Sequence, residues 1–87
     1  MAKTSEPTTL RDCPLRADLV VTGIDLDERH RFRLLELGLR VGTVLRVVQR
    51  GNFGGRVVAR GSERIALDGG TARAIRVRPA GGAGSDA

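Results

Sequence analysis

The hydrophobic pattern of this chain changes period once, and that change divides it into a helical stretch and a run of strands. Leu19-Val20-Val21-Thr22-Gly23-Ile24 is rich in β-branched residues and reads as a first strand. Asp25-Leu26-Asp27-Glu28 then sets acidic groups where a helix dipole favours them, and either aspartate is able to cap the helix that Arg29 to Leu37 continues. Phe32, Leu35 and Leu39 recur at helical spacing with Leu34 beside them, which predicts one apolar face turned toward the core. Gly38 stands where a left-handed C-terminal cap is needed.

Beyond Gly42 the period becomes two. In Thr43 to Arg50, Leu45 and Val47 share the inner side, and Val44, Arg46, Val48 and Arg50 share the outer one. Gly51-Asn52-Phe53-Gly54-Gly55 forms a loop, and the next strand is predicted with Val57 and Ala59 inward and Arg56, Val58 and Arg60 outward. After a tight turn at Gly61-Ser62, Ile65 and Leu67 point in beside outward Arg64 and Ala66. Asp68-Gly69-Gly70-Thr71 ends that strand, and Thr71 to Ala74 makes one helical turn before Ile75 and Val77 point in and Arg76 and Arg78 out. The order predicts a mainly-β fold: a small SH3-like barrel of about five antiparallel strands, with one α-helix after the first strand and a short helical turn before the last. Residues 1–9 and 79–87 are polar or Gly/Ala-rich and are expected to be disordered tails, which leaves 10–78 as the single domain.

Charge changes this picture less than it first suggests. The 87 residues carry 15 Lys+Arg against 10 Asp+Glu, a net charge of +5. Up to Leu45, seven basic residues balance seven acidic ones; after it, eight arginines face three acidic residues. Such an excess is the footprint of a nucleic-acid or anionic-membrane binder. Yet fourteen arginines to one lysine is also what a GC-rich coding sequence produces, and Phe32 and Phe53 are the only aromatics on which a base would stack. The later arginines fall on the predicted outward side of strands, where charge discourages edge pairing, so a basic coat needs no ligand.

Candidate chemistry is sparse. One Cys, one His and one Lys build neither a four-ligand zinc site nor a two-His motif, and Lys3-Thr4 has no glycine loop before it, which excludes a phosphate-cradling nucleotide site. Cys13-Pro14 offers a haem thiolate, but no second ligand accompanies it, so Cys13 is read as a small buried side chain. His30 lies among Arg29, Arg31 and Arg33, which disfavour a cation, and is read as an exposed helix residue. No apolar run is long enough for a membrane span or signal peptide, so a soluble, cytoplasmic non-enzyme is expected, with no catalytic residue, metal site, small-molecule substrate or cofactor.

Arg33-Leu34-Leu35-Glu36-Leu37-Gly38-Leu39 before the Gly42-Thr43 strand start, with Arg64-Ile65-Ala66-Leu67 and Ala72-Arg73-Ala74-Ile75-Arg76-Val77, resembles the FeoA family from Leu10 to Val77. The family usually has Pro-Gly where this chain has Val41-Gly42; valine loses the preset φ of a type II turn but keeps the glycine. The resemblance implies a cytosolic accessory protein of bacterial ferrous iron uptake. Its partner would be the membrane transporter FeoB, met through the cytosolic nucleotide-binding region, so that the chain sits at the inner face of the membrane without inserting. Two alternatives are a small-barrel nucleic-acid binder and a detached SH3-like domain of a DtxR-type iron-dependent repressor; the chain's own Met1 and lack of a winged-helix region favour a free-standing protein. Partner-contact candidates are Val44 and Val48 with the Asn52-Phe53 loop, and the helix end with Leu39, Arg40 and Val41; the competing reading folds Phe53 over a barrel end and packs Val44 under the helix. Gly38, Gly42 and Gly61 are the expected structural glycines. The family carries a general label of transition-metal binding, but this chain has no cluster of Asp, Glu, His or Cys at ligand spacing. Anaerobic titration with Fe(II) is therefore expected to show no stoichiometric, sub-micromolar binding, and such binding would overturn this reading.

Overall fold

The computed structural model describes residues 8–80. The elements are β1 (Thr8–Thr9), β2 (Leu19–Ile24), α1 (Glu28–Glu36), β3 (Val44–Arg50), a 3-10 turn (Asn52–Gly54), β4 (Arg56–Arg60), β5 (Glu63–Leu67), α2 (Gly69–Ala74) and β6 (Ile75–Pro79). All strand pairs are antiparallel, in the order β1-β6-β2-β3-β4-β5. There are six strands where about five are predicted, because Thr8 and Thr9, expected in the N-terminal tail, pair with Val77 and Arg76. At the other end Pro79, expected in the C-terminal tail, finishes β6 opposite Leu19, and the Ala80 N–H donates to the Asp18 carbonyl at 2.9 Å; residues 1–7 and 81–87 lie outside the described residues.

The core is a single cluster of thirteen buried side chains, among them Leu10, Leu19, Val21, Leu39, Leu45, Val47, Val58, Ile75 and Val77. Cys13 is among them, as the sequence predicts: its Sγ donates to the Leu10 carbonyl at 3.4 Å, and burial pushes the thiol's pKa up. β3, β5 and β6 present the predicted faces, and β2 buries Leu19, Val21 and Gly23.

The face of β4 is the reverse of the prediction. Val58 is fully buried, and Val57 and Ala59 lie on the half-exposed outer side. The cause is register. Val47 pairs with Val58, and opposed residues of an antiparallel pair share a face, so the buried Val47 carries Val58 inward. An extra residue then enters β3 at Val48, where the register shifts between Val47 and Gln49. Alternation alone does not distinguish Val57/Ala59 from Val58 when the flanking positions are arginine. Arg56 and Arg60, predicted outward, consequently share the inner side at the two ends of β4. Arg56 bends round to donate to the Gly55 and Arg11 carbonyls at 2.7 and 2.6 Å. Arg60 lies against Gly38, and its far end reaches Glu63 at 2.6 Å.

Of the two aspartates able to cap α1, Asp27 does so: its Oδ1 accepts from the His30 backbone N–H at 2.9 Å and lies 2.7 Å from the His30 ring Nδ1. Asp25 instead stays outside the helix and accepts two bonds from Arg76 at 2.9 and 3.0 Å. The helix buries Leu34 alone, and Phe32 and Leu35 of the predicted apolar face are exposed. Past the helix, Gly42 has φ +97° and the Thr43 N–H donates to the Arg40 carbonyl at 3.0 Å, the geometry of a type II turn with glycine at its third position. Gly38 and Gly61 also have positive φ.

Both helices begin on an aspartate cap. Asp68 Oδ1 accepts from the Thr71 N–H at 2.7 Å, and the backbone N–H bonds to Asp27 and Asp68 hold both carboxyls below their ordinary pKa. Since each folded-state pKa is depressed, this stabilisation is present above the ordinary carboxylate pKa and is lost as pH falls through the depressed value. Loss of a capping aspartate typically costs about 1 kcal/mol. Asp68→Ala is thus expected to lower the melting temperature by roughly 4–8 °C at neutral pH. The gap between variant and parent should close as acid protonates Asp68; a gap that stays constant down to strongly acid pH would contradict the capping role.

Candidate partner-docking surface

Neither aromatic side chain of this protein is in its core. Phe53 is 98% exposed and Phe32 61% exposed, although aromatics carry the largest apolar area available for burial. A domain this small has few large apolar groups, and leaving both phenylalanines in water requires that the core be filled without them. It is filled by Leu, Val and Ile contributed mainly by the strands, with Leu34 and Leu39 closing it from the helix side.

Phe32 lies on α1 beside Leu35. With Ile24, Leu39 and Val41 they line a groove of about 320 Å³, which Glu28, Arg31 and Arg40 border. The apolar rim exists because the helix turns one leucine, Leu34, into the core and has no second layer to cover its neighbouring face. Leu39 forms part of the lining but is only 1% exposed and belongs to the core, so this contact candidate is a structural residue first. Arg40 and Val41 are exposed in the turn that Gly42 ends; the Thr43 hydroxyl accepts from the Arg40 N–H at 3.1 Å and donates to the Gly38 carbonyl at 3.2 Å, tying that turn to the helix end.

The other candidates are brought together only in part. Val44 is exposed and Val48 half-buried, and they line one groove with Arg16, Asp18, Arg46 and Arg64. Asn52 and Phe53 lie past the opposite end of β3 from Val44. Seven residues of strand, at about 3.3 Å each, separate the two ends by roughly 20 Å. Phe53 therefore forms a tip of its own. Its φ of +54° is uncommon for a bulky residue, and the turn is held by the Gly51 N–H donating to the Gly55 carbonyl at 2.8 Å and the Gly55 N–H to the Asn52 carbonyl at 2.9 Å. The Phe53 carbonyl sits so close to Gly69 that a Cβ there would collide with it, so glycine at the start of α2 is a packing requirement.

Phe32 and Leu35 are the surface residues that the sequence assigned elsewhere. A usable signal was present: a nine-residue helix with arginine at 29, 31 and 33 offers a narrow buried stripe, which one leucine already fills. Among the described residues no three His, Cys, Asp or Glu side chains are grouped to hold a metal ion, and no helix is long and apolar enough to cross a membrane.

The FeoA domain model matches residues 8–79 of the chain. Among solved structures, the Stenotrophomonas maltophilia FeoA complexed with zinc is 34% identical, with TM-score 0.66 over 82% of this chain and 89% of that one; it is described as a procaryotic SH3 domain protein and a suggested ferrous iron transport activating factor. The FeoA protein from Chlorobium tepidum is 24% identical with TM-score 0.77, covering 86% of this chain and 72% of that one. The manganese regulator SloR shares the fold at 16% identity and TM-score 0.73, with 84% of this chain matched to 34% of that one. No curated protein sequence matches the chain.

Burial separates the candidates by expected effect. Leu39→Ala should cost about 2–5 kcal/mol in denaturant unfolding, the range for buried leucines. Phe53→Ala should stay within about 0.5 kcal/mol of the parent, as surface substitutions do. A large loss for Phe53→Ala would show that the phenylalanine covers a barrel end.

Proposed function

The chain belongs to the FeoA family, and on that premise we propose that it is a cytosolic accessory protein of bacterial ferrous iron uptake, acting by binding the cytosolic part of the transporter FeoB. The observation that carries the binding role is the exposure of both phenylalanines. Exposed aromatic and aliphatic side chains around a groove form the kind of anchor on which protein interfaces concentrate their energy. The protein performs no reaction of its own in this reading; nucleotide and metal chemistry belong to the partner, and the chain needs no cofactor. It reaches the inner face of the cell membrane through that partner and does not insert into the bilayer. The regulator-like neighbours share the fold over less than half of their own length.

The test is direct binding to the purified cytosolic nucleotide-binding region of FeoB from the same organism, with and without guanine nucleotide. Saturable binding is expected, and Phe32→Asp should weaken it by about tenfold or more while leaving the melting temperature within a few degrees of the parent. Absence of binding under both nucleotide conditions would overturn the reading.

A further inference from the structure

Three surface grooves that look separate are joined by shared residues into one face. The groove of Phe32 and Val41 shares Leu35 and Arg40 with a second groove, where Gly38, Thr43, Val44 and Arg60 complete the lining. That second groove shares Val44 with the third, which Val48 and Arg16, Arg46 and Arg64 line. Exposed Phe32, Leu35, Val41 and Val44 are thereby distributed along a continuous path from α1 across the Gly42 turn onto β3.

Arginine dominates the path. Arg16, Arg31, Arg40, Arg46, Arg60 and Arg64 line it, against Glu28 and Asp18. Asp18 is already engaged by Arg46 at 2.7 Å, and Arg60 is engaged by Glu63 at 2.6 Å; the groove that holds Glu63 and Glu36 shares Leu35, Gly38, Arg60 and Arg64 with this path, so these two carboxylates border it on the α1 C-terminal side. Arg16, Arg31, Arg40 and Arg64 make no ion pair among the described residues. Among the charges that line the path, these four and Glu28 are left without an ion pair, so its unmatched charge is four positive against one negative, and the four arginines flank the exposed apolar groups.

Resting on the FeoB reading above, we propose that this face receives an extended, acidic segment of the partner protein, with apolar side chains seated at Phe32, Leu35, Val41 and Val44 and carboxylates meeting Arg16, Arg31, Arg40 and Arg64. A protein segment fits because the apolar groups are spaced between charges along a groove. A nucleic acid would need several stacking platforms, and the face has one aromatic, Phe32. A lipid surface is flat and would leave the groove floors unfilled. Rim charges of this kind act mainly through encounter rate and salt dependence, and the apolar anchors through complex lifetime.

The experiment measures binding of the full chain to the cytosolic region of FeoB at about 50 and about 300 mM salt, across which a Debye length shrinks to roughly two fifths. The parent should bind more weakly at the higher salt. Arg40→Glu with Arg64→Glu should weaken binding about tenfold at low salt and flatten its salt dependence. The control is Arg73→Glu with Arg78→Glu, which makes the same change of net charge at exposed positions of α2 and β6 that line none of the three grooves; it should retain near-parental affinity. Circular dichroism melting checks that each variant is folded. If the Arg40/Arg64 variant binds FeoB as the parent does, or if the control loses as much, the proposed face is wrong while the FeoB reading stands. If the parent does not bind FeoB, that reading fails and this inference with it. Tighter binding to phosphatidylserine vesicles or single-stranded RNA than to FeoB, lost in the Arg40/Arg64 variant, would assign the face to a different ligand and overturn the acidic-segment proposal.

Discussion

The pairing of Val47 with Val58 is the contact on which most of this structure depends. It seats two β-branched side chains at zero exposure in the centre of a thirteen-residue core and fixes which face of β4 is inside. The same register determines the fate of Arg56 and Arg60, one at each end of that strand. Facing inward on a short strand, each has room for its aliphatic stem along the core edge and for its charge at a barrel end, as long basic side chains commonly do. Arg56 then clips the Leu10–Arg11 entry segment to β4 through a carbonyl oxygen. Arg60 lies over Gly38, the left-handed glycine at which α1 leaves the helical path.

That last contact links core register to surface. With Gly38 held beneath Arg60 and the Thr43 hydroxyl bonded to both Arg40 and Gly38, the helix end and the following turn form one rigid corner. Leu39, next in sequence, is driven into the core, while Val41 and Arg40 stay outside. The groove beside α1 is therefore a by-product of a helix packed through a single leucine. Its walls are preorganised by the fold, which lowers the ordering cost of binding a partner.

The charge of the chain divides along similar lines. Arg46, Arg56, Arg60 and Arg76 are each bonded within the molecule, to Asp18, main-chain carbonyls, Glu63 and Asp25 respectively. These ion pairs are solvent-exposed and add little stability, but they settle the direction of each side chain. The other ten arginines make no such side-chain bond among the described residues, and four of them, Arg16, Arg31, Arg40 and Arg64, border the exposed apolar path. Net charge alone pointed toward nucleic acid; its placement beside exposed apolar groups is what the acidic-segment proposal rests on.

The sequence alone carries the order of the elements from β2 to β6, the helix cap region, the structural glycines at 38, 42 and 61, and the inward faces of β3, β5 and β6, because each of these depends on local φ preferences or on clear alternation. It also made the FeoA resemblance legible, since that lies in glycine and apolar spacing. Packing between elements settled the face of β4, the pairing of Thr8 and Thr9 with β6, and the exposure of Phe32 and Leu35. Those outcomes depend on what a neighbouring strand presents and on how much apolar volume the core has left to fill. A two-residue alternation flanked by arginines is symmetric from within its own strand, and a helix cannot show from its own sequence how many of its leucines a thirteen-residue core will accept.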